Sequence, residues 1–241
     1  MGARWFAYAD ARQAAQACAH NILARLEDVL AGRSWATLAL SGGEEAPLLL
    51  ESLARCTFPW SQVHLFWVEE GPGADENRAE LYKMALECFI RPARFPPRNV
   101  HRIRTELPPD MAAERYRREV SEFFQLAGEE RPHFDVVHRN LGEDGHTAGL
   151  FPEDPLVEDR DGIAAAVCPE TPGRWRVTLL PGVLLAAGHT VFLVAGAGKA
   201  EAVRAVFCEP YDPRRWPAQM DCHHGRSVCW FLDAAAARLL Q

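Results

Sequence analysis

The run Gly142-Glu143-Asp144-Gly145-His146-Thr147-Ala148-Gly149-Leu150-Phe151-Pro152 places one imidazole two residues beyond a carboxylate, with a glycine on either side of the acid. Imidazole titrates near neutral pH, so His146 can take a proton from water and return it to a leaving oxygen, while Asp144 orients or charges the ring. An Asp-Gly turn carrying an exposed histidine has the same spelling. Ser41-Gly42-Gly43 follows an apolar run and precedes a helical one. A backbone that approaches an anion closely, with a helix N-terminus aimed at the same spot, suits a phosphate; a plain tight turn is the alternative. Gly196-Ala197-Gly198-Lys199 also sits between an apolar run and a helical one, and its ammonium can bind phosphate as a point charge or stand solvated. Arg174 and Arg176 flank Trp175 and share a face by strand alternation, within reach of such a pocket or merely on the surface.

Other chemistry is poorly represented. Cys222, His223, His224 and Cys229 lack the paired spacing of a zinc site, so no metal is expected, and no cofactor motif appears. There is no Gly-x-Ser-x-Gly elbow and no Walker loop.

These segments need a scaffold that brings them together. Residues 9–30 carry Ala14, Ala17, Cys18, Ile22, Ala24 and Leu26 near a 3.6-residue period and predict a helix stopped by Gly32. Strands follow at 35–40, 63–68, 99–103, from 134 to 137, at 176–180, 191–195 and 228–232. Helices are expected at 48–54 with Pro47 in the first turn, at 76–89, at 111–126 with Tyr116, Val120 and Phe123 on one side, near Leu184, at 199–207 and at 234–240. Alternating apolar strands and helices predict an α/β fold, a mostly parallel sheet covered on both faces, with ligands at the carboxyl ends of the strands. That rule gathers residues 41–45, 69–73, 138–147 and 196–199 at one edge.

Length and composition agree with one domain spanning residues 1–241. The 241 residues are 48% hydrophobic and carry 26 basic against 33 acidic side chains, a net charge of −7. That acidity argues against a nucleic-acid partner, because phosphate-backbone binding draws on clustered Lys and Arg. No apolar run reaches the roughly 18 to 20 residues that span a bilayer, and residues 1–11 lack a secretory pattern. Seven cysteines without a Cys-x-x-Cys pair suit a reducing compartment, so a cytoplasmic location is expected.

Taken in chain order, the segments resemble the 6-phosphogluconolactonase family, within the larger group that also holds glucosamine-6-phosphate deaminases and ribose-5-phosphate isomerases. Residues 38–43 resemble its Ser-Gly-Gly strand end, residues 60–70 with Asn77 its Asp-Glu-Arg and Ser-Asn region, and 134–152 its Asp-Gly-His-Thr-Ala-Ser-Leu-Phe-Pro segment. Residues 176–199 resemble its Arg-x-Thr strand and Gly-x-x-Lys, and 230–236 its closing strand and Asp-x-x-Ala helix. The resemblance runs from about residue 10 to the end, and its most specific part is 144–152. It implies a three-layer α/β/α Rossmann-like fold and hydrolysis of 6-phospho-D-glucono-1,5-lactone to 6-phosphogluconate in the pentose phosphate pathway, without metal or cofactor. By the same resemblance His146 acts as general base on water, Asp144 holds its segment, and Ser41, Gly42, Gly43, Lys199 and Arg176 bind the substrate or its phosphate.

The chain also departs from that pattern. Glu69-Glu70-Gly71 stands where the family has Asp-Glu-Arg, so an arginine is absent and glycine supplies no bidentate contact; Arg78 lies further along. Glu44 and Glu45 replace small hydroxyl residues, Arg139-Asn140 replaces Leu-Gly, and Gly149 replaces the serine before Leu-Phe-Pro. Two lost donors and two added carboxylates predict weaker phosphate binding by several kcal/mol, at roughly 1.5 to 3 kcal/mol per charge-assisted hydrogen bond, unless Arg139 carries a guanidinium into the pocket. A non-catalytic or repurposed relative that binds a different sugar-phosphate-like ligand is the second reading. A sugar-phosphate isomerase or deaminase is the third, disfavoured by the Leu-Phe-Pro ending and the extra base such chemistry needs.

Overall fold

Seven of the described strands lie side by side in parallel, and the central ones are runs of buried, mostly apolar residues, as expected of a sheet covered on both faces. The structure, a computed structural model, describes residues 3–72, 80–128, 130–167 and 175–240; Asn77, Arg78 and Arg174 lie outside the described residues. In chain order the elements are β1 (Arg4–Tyr8), α1 (Ala11–Leu30), β2 (Ala36–Leu40), α2 (Ala46–Ala54), β3 (Val63–Trp67), β4 (Glu69–Glu70), α3 (Glu80–Ala85), β5 (Val100–His101) and α4 (Pro109–Phe124). They continue with β6 (Val136–Arg139), β7 (Ala164–Val167), β8 (Arg176–Leu179), α5 (Pro181–Ala186), β9 (His189–Val194), α6 (Ala200–Cys208), α7 (Gln219–His224) and β10 (Val228–Asp233). The sheet order is β1-β10-β9-β6-β2-β3-β5.

Helices cover both faces. Asp10 caps α1 by accepting from the Gln13 N–H at 2.8 Å, and α1 buries Ala14, Cys18, Ile22 and Leu26 in one core with Val191, Leu193, Cys229 and Phe231. Alternate residues of the same strands, Phe192, Val194, Trp230 and Leu232, join Ala202, Val203 and Val206 of α6 in a second core. Strand alternation thus divides β9 and β10 between two apolar layers, and the α/β/α expectation holds.

Five features differ from expectation. Strand β8 belongs to a separate antiparallel sheet, β4-β8-β7, not to the parallel one; four apolar-alternating residues do not reveal which sheet they join. Strand β1, read in the sequence only for leader signals, pairs with β10 at the edge, where Trp5 and Phe6 remain about two-fifths exposed. Residues 234–239 form turns rather than a helix, and α7 occupies a stretch whose Cys-His-His spelling drew attention only as a metal candidate. The helix expected over 76–89 is described from Glu80 as α3 and a π-helical turn over Leu86–Ile90. None of the described helices is long and apolar enough to cross a membrane.

Candidate active site

Strands β2, β6 and β9 release their chains at the same edge of the sheet, and the segments that follow them wall a cleft of about 200 Å³. Gly43 and Glu44 come from the turn after β2, Asn140 and His146 from the loop after β6, and Lys199 from the turn after β9; Glu69 of β4 and Arg176 of β8 close the far side. A recess of about 310 Å³ adjoins it, sharing Gly43, Glu44, Glu69 and Arg176 and extending to Gly42, Pro47, Leu81 and Met84. The imidazole and the ammonium, 53 positions apart in the sequence, therefore face one volume.

The loop after β6 is folded around its histidine. Asp144 Oδ1 accepts from His146 Nδ1 at 2.6 Å and from the His146 backbone N–H at 3.0 Å. A carboxylate on Nδ1 keeps the proton there and leaves Nε2 as the ring's acceptor. Burial alone would raise the Asp144 carboxyl, but the hydrogen bonds and charge of His146 outweigh it and hold the group below its ordinary range. The His146 side chain is 26% exposed and packs on Phe151, with ring centroids 4.8 Å apart. The loop closes through Gly142 N–H to His146 O at 2.8 Å and Gly145 N–H to Gly142 O at 3.1 Å. A Cβ on Gly142 would lie 2.0 Å from His146 Nδ1 and 2.5 Å from Asp144 Oδ1; glycine there makes room for the pair.

The opposite wall is charged. Gly43 has φ +111°, a conformation open to glycine alone, which turns the chain after β2 into the cleft. Arg176 Nη1 donates to Glu69 Oε2 at 2.6 Å, so the buried Glu69 carboxylate fixes a half-exposed guanidinium at the cleft. Of the two acids that the sequence sets against anion binding, Glu45 is engaged elsewhere and Glu44 is not. Glu45 is 7% exposed and accepts from the Ala195 N–H at 3.1 Å, latching the turn after β2 to the end of β9; burial pushes its carboxyl up, against the pull of that N–H and of Lys199. Glu70 accepts from the N–H groups of Gly71, Leu81 and Tyr82, closing the first turn of α3. Burial pushes its carboxyl up to about 7, against the pull of those N–H groups. Glu44 is exposed at the rim.

Two expectations need correction. Ser41 is 1% exposed and stands behind the cleft rather than on its wall, its hydroxyl without a partner among the described residues. Arg139 does not enter the pocket. It is fully buried, with Nε donating to Thr147 Oγ1 at 3.1 Å, Nη1 to Asp221 Oδ1 at 3.2 Å, and its guanidinium 5.6 Å from the Phe192 ring centroid. Arg139 pairs with Phe192 in register, which commits it to the α6 side of the sheet. The missing arginine at position 71 also has a steric counterpart, since a Cβ on Gly71 would lie 2.8 Å from Trp175 O and 3.1 Å from Arg176 Cγ. Asn140 and Glu69 fall within the strand-end ranges 138–147 and 69–73 that the sequence gathers at this edge, and the structure places both on the cleft, although the sequence assigned neither a role there.

A parallel sheet with an Asp-oriented imidazole, a lysine and an arginine around a glycine turn is the framework of a protein that works on small anionic molecules by acid–base chemistry. The family model described as glucosamine-6-phosphate isomerases/6-phosphogluconolactonase matches residues 9–230, and the chain belongs to that family. It is 33% identical over 221 residues to a 6-phosphogluconolactonase of Synechocystis sp., covering 91% of each chain. To a 6-phosphogluconolactonase of Homo sapiens it is 32% identical over 241 residues, covering 97% of this chain and 92% of the relative. The crystal structure of a 6-phosphogluconolactonase from Leishmania guyanensis superposes with a TM-score of 0.79 at 26% identity, covering 98% of both chains.

Proposed function

We propose that the protein hydrolyses 6-phospho-D-glucono-1,5-lactone to 6-phosphogluconate, a step of the pentose phosphate pathway, in the cytoplasm. The observation that carries this reading is His146, held by Asp144, lining the same 200 Å³ cleft as Lys199 and Arg176. In the reaction His146 Nε2 takes a proton from water as the water oxygen bonds to the lactone carbonyl carbon, and the carbonyl electron pair moves to its oxygen. When that pair returns, the ring C–O bond breaks and the departing oxygen receives the proton from His146. Lys199 and Arg176 hold the phosphate by charge, and Gly42 and Gly43 line the space beside it. The named relatives of similar length support the substrate assignment. The six described cysteines, all unpaired, fit a reducing compartment.

Of the departures that favour a repurposed relative, Glu45 is accommodated by the Ala195 N–H and Arg139 by Asp221 and Thr147, while Glu44 stays exposed at the rim. The test is a coupled assay in which glucose-6-phosphate dehydrogenase generates the lactone and its decay is followed. The protein should accelerate decay over spontaneous hydrolysis, and His146→Ala should remove about 10²- to 10⁴-fold of kcat. Lactone decay no faster with the protein than without it refutes the proposal.

A further inference from the structure

When water adds to an ester carbonyl, negative charge gathers on the carbonyl oxygen, and a donor fixed beside that oxygen accelerates the step. His146 serves the attacking water, and Lys199 and Arg176 serve the phosphate, so none of the three is assigned to this oxygen. Glu44, Glu45 and Glu69, the acids on the same wall, accept hydrogen bonds when ionised and donate none. Among the described side chains lining the 200 Å³ cleft, Asn140 is the neutral donor.

Asn140 follows β6 directly and is 8% exposed. Two partners fix which way its carboxamide faces. Oδ1 accepts from the Ala148 N–H at 2.8 Å, and Nδ2 lies 3.5 Å from Glu69 Oε1. The reversed amide would set N–H against N–H and oxygen against carboxylate, so both contacts select the same orientation. Nδ2 carries two hydrogens; one leans toward Glu69 at the long limit of a hydrogen bond, and the other has no acceptor among the described residues. The nitrogen lies 3.9 Å from where a Cβ on Gly43 would be, on the floor of the cleft. Ala148 holds this donor from behind with φ +56°, at the turn that carries His146.

We propose that Asn140 is a catalytic residue of the hydrolysis set out above, its Nδ2–H donating to the lactone carbonyl oxygen as water adds. The inference rests on that reading of the site. The carboxamide gains and loses no proton; it stabilises the oxyanion until the electron pair returns and the ring C–O bond breaks. The departure from glycine at this position thereby supplies a donor in the cleft.

Asn140→Asp and Asn140→Ala separate this role from a structural one. Aspartate keeps the acceptor for Ala148 and loses the donor, whereas alanine loses both without adding charge. In the coupled assay each should lower kcat by about 10²- to 10³-fold, the cost of one oxyanion donor, with KM and inhibition by 6-phosphogluconate within about threefold of wild type. Melting temperatures report whether each variant is folded. Wild-type kcat in both variants overturns the proposal, as does a fall confined to alanine, which marks a prop for Ala148, or one confined to aspartate, which marks a charge effect. A rise in KM at unchanged kcat assigns Asn140 to ground-state sugar binding and overturns it too. An inactive wild-type protein refutes the lactonase reading itself, a result distinct from an active wild type with unaffected variants.

Discussion

At the scale of single residues, the site is built from contacts with little slack. Asp144 holds both the ring and the backbone of His146 at hydrogen-bond distance, and the space for that arrangement exists because residue 142 has no side chain. Gly142→Ala should therefore abolish activity to about the level of His146→Ala, and because Gly142 is buried and follows Leu141 of the α6-side core, it should lower the melting temperature as well. Kinetics and a thermal melt on the same preparation check this, and a variant with wild-type kcat would show that the loop yields to the methyl group. Lys199 makes a different prediction. In the proposed role of a charge that holds substrate and transition state alike, its loss in Lys199→Ala should raise KM by about tenfold or more with a smaller change in kcat, measured in the coupled assay.

At the scale of elements, the loop that carries the base is tied to the far side of the sheet. Arg139 joins the end of β6 to Asp221 of α7 and to Thr147, next to His146, on the α6 side of the sheet. Removing one member of a buried ion pair strands the other, so Arg139→Leu should cost about 3 to 5 kcal/mol. Arg139→Leu with Asp221→Leu should recover most of it, and chemical denaturation of both variants measures the difference. This pair also marks where the sequence was legible and where it was not. Six of the seven parallel strands and α1 could be read directly, because buried runs and a capped amphipathic helix write their period locally, whereas β1, an edge strand with four exposed residues, carries no such run. His146, Asp144 and Lys199 were legible because they stand at strand ends beside glycines. The direction of Arg139 was not, since a charged residue before a loop reads as a pocket residue until its register with Phe192 is known. Nor was the placement of β8, which depends on pairing with β4 and β7 far away in the chain.

At the scale of the whole molecule, several histidines are held neutral by the fold. Burial drives His138 down to about 3, and burial also lowers His64 and His189 to about 4, each aided by nearby positive charge. A histidine whose folded pKa lies below its unfolded value near 6.5 contributes stability above pH 6.5 and loses it as the pH falls toward the folded value, because the unfolded chain takes up the proton first. Glu70, raised to about 7, acts with the opposite sign, its buried carboxylate costing stability as the pH rises through 7. Comparing a variant with wild type isolates one contribution. The drop in denaturation free energy from pH 6.5 to pH 5 should be smaller in His138→Leu than in wild type; equal drops would mean that His138 does not remain neutral in the fold.

Two glycines of the cleft are held for unlike reasons, one by dihedral angle at position 43 and one by crowding at position 142. Any missense change at a glycine codon brings at least one new carbon. Position 142 therefore has no neutral neighbours in sequence space while the histidine is in use, and a lineage that abandoned the chemistry would be free to let that codon drift.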